Sequence, residues 1–257
     1  RVPDRCDEHD AVYRTVSPVP GAAGASAGPA VELRDVRFAY AAGRDVLDIP
    51  SLTIGRGEHC FLHGPSGSGK TTLLGLLAGV LVPRSGTVQV LGTSISSLGS
   101  GARDRFRAEH LGYVFQMFNL IPYLTVRENI TLPCRLSPAR RARLKGADAT
   151  AEAAHLAARL EIGELLDQPV TALSVGQQQR VAVARALIGA PELVVCDEPT
   201  SALDSDRRDR FLELLFARCA EAGSALVFVS HDLSLASRFA RTVELPEVNR
   251  AAVREAV

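Results

Sequence analysis

The sequence predicts an α/β fold with a parallel sheet at its core, on three observations. The runs GEHCFLH (57–63), ELVVCDE (192–198) and SALVFVS (224–230) are short and nearly continuously apolar, the texture of strands covered on both faces. Helical stretches lie between them, above all the run after Lys70 and the run from Ser174 to Ile188, and such an alternation builds a parallel sheet. With 257 residues, 46% of them hydrophobic, the chain can bury the core of one large domain, or of one domain with an insertion.

Taken in order, residues 1–30 read as a flexible tail, because VSPVPGAAGASAGPA (16–30) is mostly Pro, Gly, Ala and Ser and has too little bulk to bury. A single domain is expected over residues 31–250, with a short tail over 251–257. VELRDVRFAY (31–40) alternates apolar and polar with one phase slip near Arg34 and Asp35, as a half-buried strand with a bulge would. Between Asn119 and Val170 the strand signal disappears, and residues 137–162 are rich in alanine, leucine and arginine. That predicts a mostly helical insertion over about residues 119–188. Within it ARRARLK (139–145) reads as a solvated helical face rather than a patch for lipid headgroups or nucleic acid. No internal repeat of solenoid length is present.

Composition excludes several classes. Equal numbers of basic and acidic residues, 29 each, give no bulk attraction to nucleic acid or to an anionic membrane. Cys6, Cys60, Cys134, Cys196 and Cys219 are odd in number, widely spaced and without a C-x-x-C pair, poor material for a disulfide framework or a zinc site. A reducing, cytoplasmic setting is expected. No stretch approaches the roughly 18 consecutive apolar residues of a spanning helix, and the first residues lack the apolar core of a signal peptide, so membrane association is expected to go through a partner.

The strongest local signal is HGPSGSGKTTLLGLLAG (63–79). Gly64-Pro65-Ser66-Gly67-Ser68-Gly69-Lys70-Thr71 satisfies G-x-x-x-x-G-K-[ST] between a predicted strand and a predicted helix, the context a phosphate-binding P-loop requires. Its glycines let successive backbone N–H groups point into one concavity, and the helix adds its positive end. Lys70 is one of only two lysines among 29 basic residues. A compact ammonium reaches between outer phosphates where a planar guanidinium would not fit. The Thr71 hydroxyl is expected on Mg2+. His63, just before the loop, is read as the end of a strand.

A second cluster follows: LSVGQQQR (173–180), then LVVCDEPTSALD (193–204). Here the chain resembles the ATPase subunits of ABC transporters, over Val31 to Leu245 and with the motifs in the expected order. The resemblance implies a P-loop NTPase core with an N-terminal antiparallel β portion and a helical insertion. It implies ATP and Mg2+ as cofactors. Asp197 resembles the Walker B acid that holds Mg2+, and Glu198 the catalytic base that orients or deprotonates water. His231 resembles the switch histidine on the γ-phosphate, and Tyr40 the aromatic residue on which adenine stacks. Gln116 matches the glutamine that reaches Mg2+ and water at the junction with the insertion. Lys70 joins Glu198, His231 and Gln116 as the catalytic set, and Thr72 joins the P-loop in binding ATP. Phosphoryl transfer asks mainly for positioning and charge neutralisation, which this set supplies.

By the same resemblance Ser174, Gly176 and Gln177 cap the γ-phosphate bound by another subunit. A head-to-tail homodimer enclosing two ATP molecules is therefore expected, with an integral membrane permease contacted near the Gln116 loop and the helical insertion. The chain departs from the family's Leu-Ser-Gly-Gly-Gln in carrying Val175, and β-branching excludes positive φ. If that position needs only helical angles, valine is harmless. YVFQMFNLIPYLTVRENITLP (113–133) with LSVGQQQRVAVARALI (173–188) looks most like the ATPases of lipoprotein release and macrolide export. The chain ends soon after Leu245, without room for the regulatory domain of many importers. A cytoplasmic, peripheral position on the inner membrane face follows. The competing reading is a soluble ABC ATPase acting on nucleic acid, or a regulatory nucleotide switch. The first usually carries a long coiled coil or a second ATPase domain, and the second fits poorly with Glu198 and His231. No nucleic acid partner is expected.

Overall fold

The computed structural model describes residues 28–41, 43–144, 148–200, 203 and 205–253. The tail predicted for residues 1–30 lies outside them up to residue 27, as do Cys6 and Lys145. Ala30 is already buried and its N–H donates to the Ile54 carbonyl.

In chain order, β1 (Val31–Phe38), β2 (Leu47–Ile54) and β3 (His59–His63) lead into α1 (Lys70–Leu77). β4 (Ser85–Val90) and β5 (Thr93–Ser94) follow, then α2 (Ser100–His110) and β6 (Leu111–Val114). The insertion contributes α3 (Val126–Leu136), α4 (Pro138–Ala142), α5 (Ala149–Arg159) and α6 (Val175–Leu187). The chain returns through β7 (Leu193–Asp197), α7 (Ser205–Ala222), β8 (Ala225–Val229) and β9 (Arg241–Glu244), then α8 (Leu245–Val248) and α9 (Arg250–Val253).

Two sheets result. One is antiparallel, in the order β2-β1-β4-β5, and the other is parallel throughout, in the order β6-β7-β8-β3-β9. Strands read as nearly continuous apolar runs are the central ones, and every residue of β7 and β8 is buried. The two-residue period explains why: Leu226 and Phe228 of β8 enter one core, and Ala225, Val227 and Val229 enter the other. The first core continues into α3, α5 and α6, and the second into α1 and the antiparallel sheet.

The predicted bulge is present. The β1–β4 register shifts between Arg34 and Arg37, and Asp35 has φ 50°. Gly86 opposite it has φ 83°, and a Cβ there would lie 2.3 Å from the Asp35 carbonyl oxygen, so no other residue fits.

The insertion is helical as expected; besides its helices, the described residues hold 3₁₀ turns and one isolated bridge, Thr125 with Pro169. Its helix starts are locally encoded. Thr125 and Glu128 form a capping box at α3, Ser137 and Asp148 cap α4 and α5, and Ser174 and Gln177 form a second box at α6.

The basic run at 139–145 forms the solvated face expected of it only in part: Arg141 is exposed, while Arg140 and Arg143 are not. Arg140 is 2% exposed and donates to the carbonyls of Leu111 (2.8 Å), Ile188 (2.9 Å) and Ala186. Arg143 pairs with Glu192 at 2.9 Å and donates to the Glu109 carbonyl. These two cations fasten α4 to the end of α6 within the insertion and, outside it, to the end of α2, the start of β6 and Glu192 before β7.

Candidate active site

The P-loop leaves β3 at His63 and enters α1 at Lys70. His63 stacks on Phe61 at 5.9 Å, in keeping with its reading as a strand end. Gly69, the residue before α1, has φ 97°, and a Cβ on it would lie 2.7 Å from the Leu47 side chain. The backbone angle therefore demands glycine, and a side chain here would also push on Leu47 of β2. Lys70 is buried, and its ammonium donates to the carbonyls of Gly64 (2.8 Å) and Pro65 (2.9 Å).

Asp197, the last residue of β7, is buried and accepts a hydrogen bond from the Thr71 hydroxyl. Burial pushes its carboxyl pKa up and the Thr71 bond opposes this; the Glu198 charge raises it further and Lys70 lowers it. Glu198 has φ 46°, uncommon for a residue with a side chain, and its N–H donates to the Val229 carbonyl. That turn carries its carboxylate to 3.0 Å from His231 Nδ1.

Tyr40 packs edge-on against Phe38, hydrogen-bonds Thr72 Oγ1 at 3.0 Å and is 67% exposed as a residue. Gln116 is exposed at the end of β6. Just beyond it Phe118 and Asn119 both have positive φ, 59° and 47°, and Arg185 of α6 donates to both their carbonyls.

A cavity of about 600 Å³ gathers Tyr40, Val46, Ser66, Gly67, the stretch Gly69 to Thr72, Gln116, Glu198 and His231. Its size is that of a small-molecule site. Of the remaining predicted residues, Asp197 stands behind Thr71, while Gly64 and Pro65 face Lys70 through their carbonyls. Ser68 is buried, with its hydroxyl lacking a hydrogen-bond partner.

Ser174, Gly176 and Gln177 are not in this cavity. They line a separate one of about 310 Å³ with Gln179, Arg180 and Phe211 among others. There Ser174 caps α6, accepting from the Gln177 N–H at 3.4 Å, while Gln177 Oε1 accepts from the Ser174 N–H at 2.9 Å. Val175 is the first residue of α6, without positive φ, and is 54% exposed. It therefore costs the backbone nothing at this position, and a Cβ on Gly176 would meet nothing within 4 Å.

Three residues around the cavity were not singled out by sequence. Arg185 holds the segment after Gln116. Arg208 of α7 pairs with Asp232, next to His231. Asn249 donates to the Val46 and Ser68 carbonyls. An isolated arginine or asparagine carries no local pattern, and only the partner it meets reveals it.

A parallel sheet ending in a P-loop after β3, with a histidine after the neighbouring β8 and an acid pair at the end of β7 beyond it, defines a P-loop nucleoside triphosphatase. The family model described as ABC transporter matches residues 47–201, more than half of the chain. The chain belongs to the ABC transporter family and is an ATPase. It is 42% identical over 222 residues to the lipoprotein-releasing system ATP-binding protein LolD of Anaeromyxobacter dehalogenans strain 2CP-C, covering 85% of this chain and 91% of that one. It is 41% identical over 219 residues to the uncharacterized ABC transporter ATP-binding protein YbbA of Escherichia coli K12, covering 84% and 93%. Among solved structures it is similar to the dimeric bacterial ABC transporter cassette MJ0796, with TM-score 0.76 and 33% identity, covering 83% of this chain and 93% of that one. A post-hydrolysis state of that cassette bound to ADP and Pi matches at TM-score 0.76.

Proposed function

We propose that this ATPase works as a head-to-tail homodimer around two ATP–Mg2+ and drives a separate membrane permease of the lipoprotein-release or macrolide-export type. The observation that carries the dimer is the separation of Ser174 and Gly176 from the P-loop cavity within one chain. Each cavity is then half of a site, and a second copy in opposite orientation supplies the other half. The N-terminus of the 13-residue α6, with the Ser174 hydroxyl, suits a γ-phosphate offered by that copy.

In the proposed site, Tyr40 stacks adenine and the P-loop amides hold the β- and γ-phosphates with Lys70 between them. The oxygen donors Thr71, Asp197 and Gln116 suit Mg2+, a hard cation. A buried carboxylate whose pKa is raised by burial is relieved by such an ion. Glu198 receives the proton of the attacking water, His231 steadies Glu198 and the γ-phosphate, and Lys70 offsets charge developing on the transferred group.

No helix among the described residues is long and apolar enough to cross a membrane. Attachment to the inner membrane face then runs through the permease, at the surface beside Gln116 where Met117 and Tyr123 are 81% and 83% exposed. The names of the relatives favour transport over the nucleic-acid or regulatory alternative.

Glu198→Gln tests both halves. It is expected to slow hydrolysis by about 100-fold or more while trapping an ATP-dependent dimer visible by light scattering, and Lys70→Ala is expected to give no dimer. A variant that hydrolyses at the parent rate would remove Glu198 from its role. A monomer at saturating ATP–Mg2+ would remove the dimer. Gentle purification of the Glu198→Gln protein from native membranes with ATP then identifies the permease by co-purification.

A further inference from the structure

The segment after β9 carries none of the sequence motifs, yet it packs against β2 and the P-loop. Asn249 stands between α8 and α9, 1% exposed, and uses its whole amide. Nδ2 donates to the carbonyls of Val46 (3.0 Å) and Ser68 (3.2 Å), and Oδ1 accepts from the N–H groups of Asp48 (2.8 Å) and Ala251 (3.2 Å). Leu245 and Pro246 close on the same loop: a Cβ on Gly64 would lie 3.0 Å from Pro246 Cδ and 3.6 Å from Leu245 Cβ.

Two bonds of the four bear on binding, the one to Ser68 most directly. The Ser68 carbonyl and the Gly69 N–H belong to a single planar trans peptide, so they point in opposite directions. Holding the carbonyl from outside aims the N–H the other way, and Gly69 lines the 600 Å³ cavity. A phosphate cradle works through the directions of such N–H groups. The Val46 carbonyl, held by the same Nδ2, fixes a second residue of the cavity wall.

We propose that Asn249 is a positioning residue for the nucleotide: from outside the cavity it orients the 68–69 peptide and so sets affinity for the phosphates. This rests on reading that cavity as the ATP site. Aspartate at 249 keeps the acceptor for Asp48 and Ala251 but turns an oxygen toward two carbonyls, so it removes the proposed function with little change in shape.

The test uses Asn249→Asp and Asn249→Ala in the full chain, with Kd for a fluorescent ATP analogue, KM and kcat for ATP, and folding followed by circular dichroism. Leu156→Ala, a deletion in the core cluster that includes the helical insertion, serves as a destabilised control. Both Asn249 variants are expected to weaken Kd and raise KM about tenfold, the loss of about one hydrogen bond, with kcat at saturation within about threefold of the parent. Asn249→Asp is expected to regain affinity as pH falls and its carboxyl becomes a donor, and Leu156→Ala to lower Tm without changing Kd. The proposal is overturned if folded Asn249 variants bind within about twofold of the parent, or if Leu156→Ala weakens Kd as much. Loss of fold in both Asn249 variants also overturns it, because the role is then structural. If the parent itself does not bind the analogue, the ATP reading fails instead.

Discussion

Asp197 and Glu198 are adjacent in sequence and meet opposite environments. Asp197 is buried at the end of β7, where removal from water penalises its charge, while the left-handed turn at Glu198 brings that carboxylate out to His231. Such a turn costs about 1–3 kcal/mol and persists because the β7–β8 pairing and the Glu198 N–H bond to Val229 hold it. A carboxyl whose folded pKa is raised favours the fold below its unfolded pKa, and that contribution is lost as pH rises through the folded value. Above the folded value the nucleotide-free protein therefore bears the cost of the Asp197 charge. Asp197→Asn is expected to leave the nucleotide-free Tm at least as high as the parent's, while Mg2+-dependent hydrolysis falls by about 100-fold or more. Calorimetry and a phosphate-release assay decide it, and a lower nucleotide-free Tm would contradict the argument.

The insertion shows how elements are joined by groups their own sequence does not advertise. Capping boxes at Thr125 and Ser174 start α3 and α6 from within four residues. The insertion packs on the parallel sheet through the shared apolar core, and Arg140 adds a polar tie, its guanidinium spent on three carbonyls from β6 and the end of α6. Burial lowers its pKa to about 10, so it remains a cation at neutral pH, solvated by backbone dipoles in place of water. Arg140→Met keeps much of the volume but leaves those carbonyls unsatisfied. The expected cost is about 3 kcal/mol, which lowers Tm by about 6–12 °C. Equilibrium denaturation measures it, and a cost within about 0.5 kcal/mol would return Arg140 to a solvated role.

At the scale of the whole molecule, the parallel sheet separates two cores and presents the P-loop, the acid pair and His231 at the carboxyl ends of β3, β7 and β8. Open α/β sheets bind ligands at that edge. The α6 N-terminus lines the other cavity; in the proposed dimer a second copy closes each site, which would link nucleotide binding, dimer formation and thermal stability. In the Glu198→Gln protein, ATP–Mg2+ at about 100 times Kd is expected to add about 2.7 kcal/mol, or about 5–10 °C in Tm. The increment should grow with protein concentration, because a dimer binds only the folded state. A shift independent of concentration would mean that one chain binds ATP without closing on another.

Much of this was legible in the sequence. β3, β7 and β8 show as apolar runs because both their faces are covered, and the bulge at Arg34–Asp35 shows as a broken alternation. The P-loop is legible because backbone approach to phosphate demands glycine at set spacings, and capped helix starts because donor and acceptor lie within a few residues. Each of these leaves its mark in a pattern among near neighbours along the chain. Tertiary structure alone decided the burial of Arg140 against carbonyls 29 to 48 residues away, and the reach of Asn249 to Ser68 across 181. It also decided that Ser174 opens onto a different cavity from Lys70. A cation run or a lone amide has the same local pattern in water as in a core, and which it meets is set by packing that brings distant backbone to it.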